Sequence, residues 1–279
     1  SRGERVDVRI STMPTLHGEK VVLRLLRHRP EFLTLSELGL DPEDLDRLLS
    51  LIFRPYGLVI VTGPTGSGKT TTLYAILQEL NRPEVSIVTL EDPVELQISG
   101  ITQVQINPKA GLTFAQGLRA VLRQDPDLIM VGEVRDQETA DIAVRAALTG
   151  HRVFSTLHTG DGASAVTRLL DMGIAPYRVA SALNGVIAQR LVRLLCSRCR
   201  GAGCGECQET GYFGRTGVFE VLEIDQELQR LIVERAPLSR LRKAFREKGY
   251  RSLGEAVMEK VRRGLTTKEE GFRVVEGIV

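Results

Sequence analysis

Eight consecutive residues, Gly63-Pro64-Thr65-Gly66-Ser67-Gly68-Lys69-Thr70, carry the strongest chemical signal in the chain. Glycine, four residues, then Gly-Lys-Thr is the spacing of a phosphate-binding loop. The glycines let the backbone curl so that several N–H groups aim at one phosphate. The following helix adds its positive dipole end, Lys69 reaches the β- and γ-phosphates, and Thr70 is placed to ligate Mg²⁺. Residues 57–62 before the loop are apolar and β-branched, as in a buried parallel strand. Leu73, Ile76, Leu77 and Leu80 after it recur at helical spacing. Strand, loop and helix in that order imply a nucleoside triphosphate site, with Gly63 through Thr71 as its candidate binding residues.

Phosphoryl transfer is mostly positioning and charge neutralisation, so such a loop needs acidic partners. Glu91, Asp92 and Glu95 follow the apolar residues 86–90, and Glu133 follows residues 128–132. The second run resembles a Walker B strand with Gly132 where a metal-binding aspartate usually stands. Glu133 is therefore expected to approach Mg²⁺ directly or through a coordinated water. That leaves Glu91 to orient or deprotonate the attacking water; a helix cap or surface carboxylate is its bland alternative. His158 closes a core strand beside this region and reads as a γ-phosphate sensor, against the alternative of a satisfied structural histidine. Gln124, Asp125 and Asp127 either organise the same region or end a helix.

All four cysteines are clustered. Cys196, Cys199, Cys204 and Cys207 form two Cys-x-x-Cys pairs separated by four residues, a donor set for one tetrahedral zinc ion. Gly201, Gly203 and Gly205 permit the tight turning required. Zinc would hold a segment with little apolar content, contributing on the order of 10 kcal/mol in small zinc peptides. Disulfides or one redox-active pair are the rivals. Four thiolates leave no open coordination position, so the expected zinc is structural.

The elements that must position these groups follow from patterning. From Tyr56 onward strands and helices alternate, predicting a mainly parallel sheet covered by helices, with chemistry at the carboxyl ends of its strands. Earlier, Val6, Val8 and Ile10 alternate with polar residues, and residues 20–26 form a second strand. Arg9 and Arg24 each interrupt these strands. Two strands alone are marginal, so residues 1–30 read as the tail of a smaller domain plus linker. Residues 31–279 read as the main domain, including a metal-binding segment at 190–216 and helices at 225–279. Asp41 is expected to cap a helix opening with Pro42. Residues from Pro176 to about Leu195 read as helical, and the arginines of 190–200 and 240–246 as solvated helix faces.

A length of 279 residues, with 42 % hydrophobic and 26 % charged residues, suits a globular protein. The net charge of +2 comes from 37 basic and 35 acidic residues, giving no reason to expect a nucleic-acid or acidic-lipid partner. No apolar run approaches the roughly 18 residues of a membrane span, and the N-terminus does not resemble a signal peptide. The missing initiator Met fits a piece of a longer protein.

Together the motifs resemble the secretion ATPase superfamily, specifically the assembly ATPases of type IV pili and type II secretion (the PilB/GspE group). The resemblance rests on Pro14-Thr15 through Gly18-Glu19-Lys20-Val21-Val22-Leu23-Arg24, the phosphate loop, and Leu90-Glu91-Asp92-Pro93-Val94-Glu95. It continues through Leu122-Arg123-Gln124-Asp125-Pro126-Asp127, Val131-Gly132-Glu133-Val134-Arg135-Asp136 and Ser155-Thr156-Leu157-His158-Thr159. Thr210-Gly211-Tyr212-Phe213-Gly214-Arg215-Thr216-Gly217 and Gly264-Leu265-Thr266-Thr267 complete it.

It implies a RecA-like motor domain preceded by the end of a PAS-like α+β domain, assembled as a hexameric ring with ATP at domain and subunit interfaces. Glu91 falls in the family's Asp box, Glu133 in its Walker B box and His158 in its His box. Arg9 and Arg24 match basic residues that reach toward nucleotide. The implied function is Mg²⁺-dependent ATP hydrolysis driving assembly of a pilus or secretion pseudopilus. The implied setting is cytoplasmic, at the inner membrane through a platform protein. A retraction or DNA-transfer motor on the same fold, or a weakly hydrolysing nucleotide-gated scaffold, are the alternatives. The paired cysteines look like the assembly branch rather than the retraction branch.

Overall fold

The computed structural model describes residues 6–27 and 33–275. The period-two pattern near the start forms β1 (Val6–Thr15), which turns into antiparallel β2 (Gly18–Arg27) with Arg9 opposite Arg24. This hairpin lies in a unit, Ser1–Phe32, separate from the larger unit, Leu33–Val279.

The larger unit opens with α1 (Pro42–Ile52), whose proline occupies the first turn directly after Asp41. Asp41 holds the cap position but makes no capping hydrogen bond. Its carboxylate instead takes Arg251 at 2.6 Å, Arg263 at 2.9 Å and Lys260 at 3.1 Å. Charge-assisted bonds to three cations outweigh a neutral bond to a helix N–H.

The chain then runs β3 (Gly57–Thr62), α2 (Lys69–Leu80), β4 (Ile87–Glu91), β5 (Thr102–Gln105), α3 (Phe114–Val121), β6 (Leu128–Val131), α4 (Gln137–Leu148) and β7 (Arg152–Leu157). After α5 (Gly162–Asp171) and α6 (Pro176–Ala182) come β8 (Leu183–Leu195) and β9 (Tyr212–Glu223). Four helices follow: α7 (Gln226–Val233), α8 (Leu238–Glu247), α9 (Leu253–Arg262) and α10 (Lys268–Val275). The sheet order is β5-β4-β6-β7-β3-β8-β9, parallel throughout except for the β8–β9 pair. Every residue of β3, β4 and β6 is buried. The predicted apolar face of α2 packs inward, with Leu73, Ile76, Leu77 and Leu80 all at most 2 % exposed. Each such side chain contributes roughly 1.5–3 kcal/mol by leaving water. That anchors the helix whose first residue is Lys69.

One expectation fails in an informative way. The predicted helix through Leu195 stops at Ala182, and residues 183–195 form β8 between β3 and β9. Val186, Ile187 and Ala188 are buried together, so the strand shows no in–out alternation from which its period could be read. Arg190, expected on a solvated helix face, is consequently buried in the sheet. Its guanidinium donates to the carbonyls of Gln189 at 2.9 Å and Gly160 at 2.7 Å. No helix among the described residues is long and apolar enough to cross a membrane.

Candidate functional site

Four neighbouring strands, β4, β6, β7 and β3, deliver the predicted groups to one edge of the sheet. Glu91 is the last residue of β4, Glu133 lies just beyond β6, His158 just beyond β7, and the glycine loop begins after β3. A cleft of about 520 Å³ is lined by Thr65, Gly66, Gly68, Lys69, Thr70 and Thr71, facing Glu91, Asp92, Glu95, Glu133 and His158. Arg135 and Arg215 also line it. Its size is in the range of small-molecule sites.

The loop's glycines are required by close approach as well as by turning. A side chain at Gly63 would meet the Gln189 carbonyl oxygen at 2.5 Å, and one at Gly68 would meet Gln189 Nε2 at 2.8 Å. Gly68, at φ 89°, forms the left-handed N-cap of α2. Lys69 Nζ donates to the carbonyls of Gly63 at 2.8 Å and Pro64 at 3.0 Å. Burial holds its pKa below the usual lysine range, against the opposing pull of Glu133. Ser67 Oγ is the one buried side-chain polar atom without a hydrogen-bond partner among the described residues. A buried hydroxyl with no partner on a loop of this shape is a place for a polar ligand. Pro64, Thr65, Gly66, Thr70 and Thr71 are exposed on its open side.

Glu133 points into the cleft between two cations or potential cations. Arg135 Nη2 lies 2.5 Å from one carboxylate oxygen and His158 Nε2 lies 3.6 Å from the other. Partial burial and the nearby Lys69 charge lower the His158 pKa, outweighing Glu133, so the ring is neutral at pH 7. Behind it, Thr62 and Thr159 share a 2.7 Å hydroxyl hydrogen bond, tying the start of the loop to the residue after His158.

Glu91 is not the surface carboxylate of its bland alternative: it is 3 % exposed. Tyr74, Thr89 and Gln103 all donate to its carboxylate. Sequence patterning singles out none of these three. Thr89 was accessible in principle, since strand residues two apart share a face, whereas Tyr74 reads as one more core aromatic. Gln124 and Asp125 are exposed, and Asp127 Oδ2 accepts from the Ser86 N–H at 2.7 Å, fixing the start of β4 rather than lining the cleft. The nucleotide-facing role implied for Arg9 and Arg24 falls on side chains outside the described residues.

The cysteines are far from this cleft in sequence, in the turn between β8 and β9. Their sulfurs all lie within 4.8 Å of one another, with three pairs at 3.7–3.9 Å. Gly211, at φ 75°, closes the turn where a Cβ would stand 2.6 Å from the Gly201 carbonyl oxygen. Cys207 Sγ accepts from the N–H groups of Cys204 at 3.2 Å and Gly211 at 3.3 Å. Burial opposes ionisation of this thiol, yet these donors and the neighbouring thiols hold it down to about 7.

The chain is 50 % identical over 299 residues to the type II secretion system ATPase E of Vibrio cholerae serotype O1, covering 98 % of this chain and 59 % of that protein. It is 45 % identical to the type IV pilus assembly ATPase PilB of Thermus thermophilus, covering 95 % of this chain and 33 % of that one. The chain thus spans less than two thirds of the length of these curated relatives. The crystal structure of the pilus retraction motor PilT with bound ADP superimposes with a TM-score of 0.76 at 29 % identity, over 97 % of this chain and 76 % of that one. The RecA-like α/β architecture expected from the motifs is the one observed. Residues 1–273 match the family described as type II/IV secretion system protein, and to that family the chain belongs.

Proposed function

We propose that this chain is the motor portion of an ATPase that works as a homohexamer and drives assembly of a type IV pilus or a type II secretion pseudopilus. The observation that carries the reading is the row of Glu91, Glu133, His158 and the glycine loop on four adjacent strand ends around one cleft. In this reading the loop N–H groups and Lys69 hold the phosphates of ATP. Thr70 and Glu133 offer the hard oxygen ligands that Mg²⁺ prefers, and the ion would neutralise phosphate charge. The Glu91 carboxylate takes the proton of the attacking water. His158, neutral and beside Glu133, contacts the γ-phosphate.

The cysteine cluster is proposed as a structural zinc site. A tetrahedron with metal–sulfur bonds of about 2.3 Å has edges of about 3.8 Å, close to the 3.7–3.9 Å separations of three sulfur pairs. The proposed partners are other copies of the chain and a membrane platform protein, reached from the cytoplasmic side.

The decisive experiment is phosphate release by the full-length hexamer with and without Mg²⁺. Lys69→Ala should abolish nucleotide binding, whereas Glu91→Gln should keep binding and lose turnover by about 10²-fold or more. Unchanged turnover in Glu91→Gln would remove the role given to that carboxylate.

A further inference from the structure

We propose that Tyr74 is a positioning residue that aims Glu91 at the attacking water and ties that aim to the phosphate-binding helix; this rests on the role just given to Glu91. Tyr74 lies on α2 four residues after Thr70, on the same side of the helix. Its ring is buried, at 3 % exposure, and its hydroxyl donates to Glu91 Oε2. The same hydroxyl oxygen accepts from the backbone N–H groups of Glu95 at 3.2 Å and Leu96 at 3.5 Å. A phenol has one proton to give. With backbone donors already on its oxygen, that proton is committed to the carboxylate. Burial, and then the hydrogen bond and charge of Glu91, push the phenol pKa upward, so Tyr74 stays a donor at every pH where the enzyme would work.

The other carboxylate oxygen is filled. Oε1 accepts from Thr89 Oγ1 at 2.6 Å and from Gln103 Nε2 at 3.0 Å. Gln103 is itself fixed, giving its second proton to the Leu96 carbonyl at 3.0 Å and accepting from the Ile98 N–H at 2.7 Å. A carboxylate has about four acceptor positions. Three are used among the described residues, and the fourth is on Oε2, beside Tyr74. The arrangement leaves one lone pair in one direction, which is what a general base for a single water requires. In the step itself, the water oxygen bonds to the γ-phosphorus as the bond from that phosphorus to the bridging oxygen breaks. The bond's electron pair leaves with ADP, and the water proton passes to Glu91 Oε2.

Because Tyr74 and Thr70 share one helix face, a shift of α2 on the phosphates also shifts the donor that orients the base. A Tyr74 that only braced α2 against residues 95–96 would instead act through stability alone.

The test uses the full-length hexamer with Tyr74→Phe, Glu91→Gln and the double variant, measuring kcat, KM, affinity for a non-hydrolysable ATP analogue and the thermal midpoint. Phenylalanine keeps the packing and deletes only the hydroxyl. The expected result is a kcat about 10- to 100-fold lower, with analogue affinity within about twofold of the parent. The loss should fall on kcat, with KM and the thermal midpoint close to the parent's. In the double variant Tyr74→Phe should add nothing to Glu91→Gln. If Glu91→Gln is inactive while Tyr74→Phe keeps its kcat, Tyr74 does not position the base. The positioning role is equally overturned if Tyr74→Phe lowers thermal stability and analogue affinity together with kcat. If Glu91→Gln turns over normally, the Glu91 reading itself fails and the inference falls with it.

Discussion

Gly132 stands where the related strand pattern would place an acidic side chain, and the packing gives the reason. A Cβ there would lie 3.1 Å from the Leu90 carbonyl oxygen, tighter than ordinary van der Waals contact, so β4 and β6 must part to admit it. Glu133, one residue on, is the carboxylate proposed to take the acidic role. Gly132→Ala should cost about 1–3 kcal/mol through overpacking, read as a lower midpoint in urea unfolding; an unshifted midpoint would mean the two strands separate freely. Legibility at this scale follows distance along the chain. Lys69 stands out in sequence by the glycine spacing before it, and Glu133 and His158 because each ends an apolar run. The partners of Glu91 do not, because Tyr74 and Gln103 are 17 and 12 residues away and meet it only after two crossovers.

Elements were readable where one face is wet and obscure where both are dry. The amphipathic C-terminal helices are predicted and observed, while β8 is misread as helix because it is covered on both faces. The same burial gives β9 a titratable group. Glu220 accepts from the Gly162 N–H at 2.8 Å and the Leu253 N–H at 3.4 Å, at the starts of α5 and α9. Burial, with the neighbouring Asp161 charge adding, pushes its carboxyl from 4.5 up to about 7, in spite of these donors and Arg242. Between those values the native protein holds more protons than the unfolded chain. The contribution of this group to stability is therefore complete below about pH 4.5 and is lost as pH rises through 7, by on the order of 3 kcal/mol. Relative to the parent, Glu220→Gln should gain melting temperature between pH 5 and pH 8. A difference that is flat with pH would mean that Glu220 ionises in the fold as it does in water.

For the molecule as a whole, strand–helix alternation and the order of motifs were enough to foresee a RecA-like sheet, since each βα unit announces itself locally. The strand order was not readable, because β8 supplies the neighbour of β3 from more than a hundred residues downstream. The zinc proposal belongs to this scale too. Native full-length protein should release about one zinc per chain when its thiols are alkylated, with loss of protection from proteolysis at residues 196–211 while the parallel sheet stays folded. Metal content near zero before alkylation rules the site out.

The strand that the sequence hid has a mechanical consequence. Gln189, on β8, takes the Thr72 hydroxyl at 2.7 Å and forms the floor under Gly63 and Gly68; six residues on, the same strand ends at Leu195, next to Cys196. Between these two points β8 keeps its pairing with β9 except for a register irregularity between Arg193 and Leu195. A pull on the cysteine turn therefore meets that irregularity and the β9 pairing before it reaches the residue under the phosphate loop.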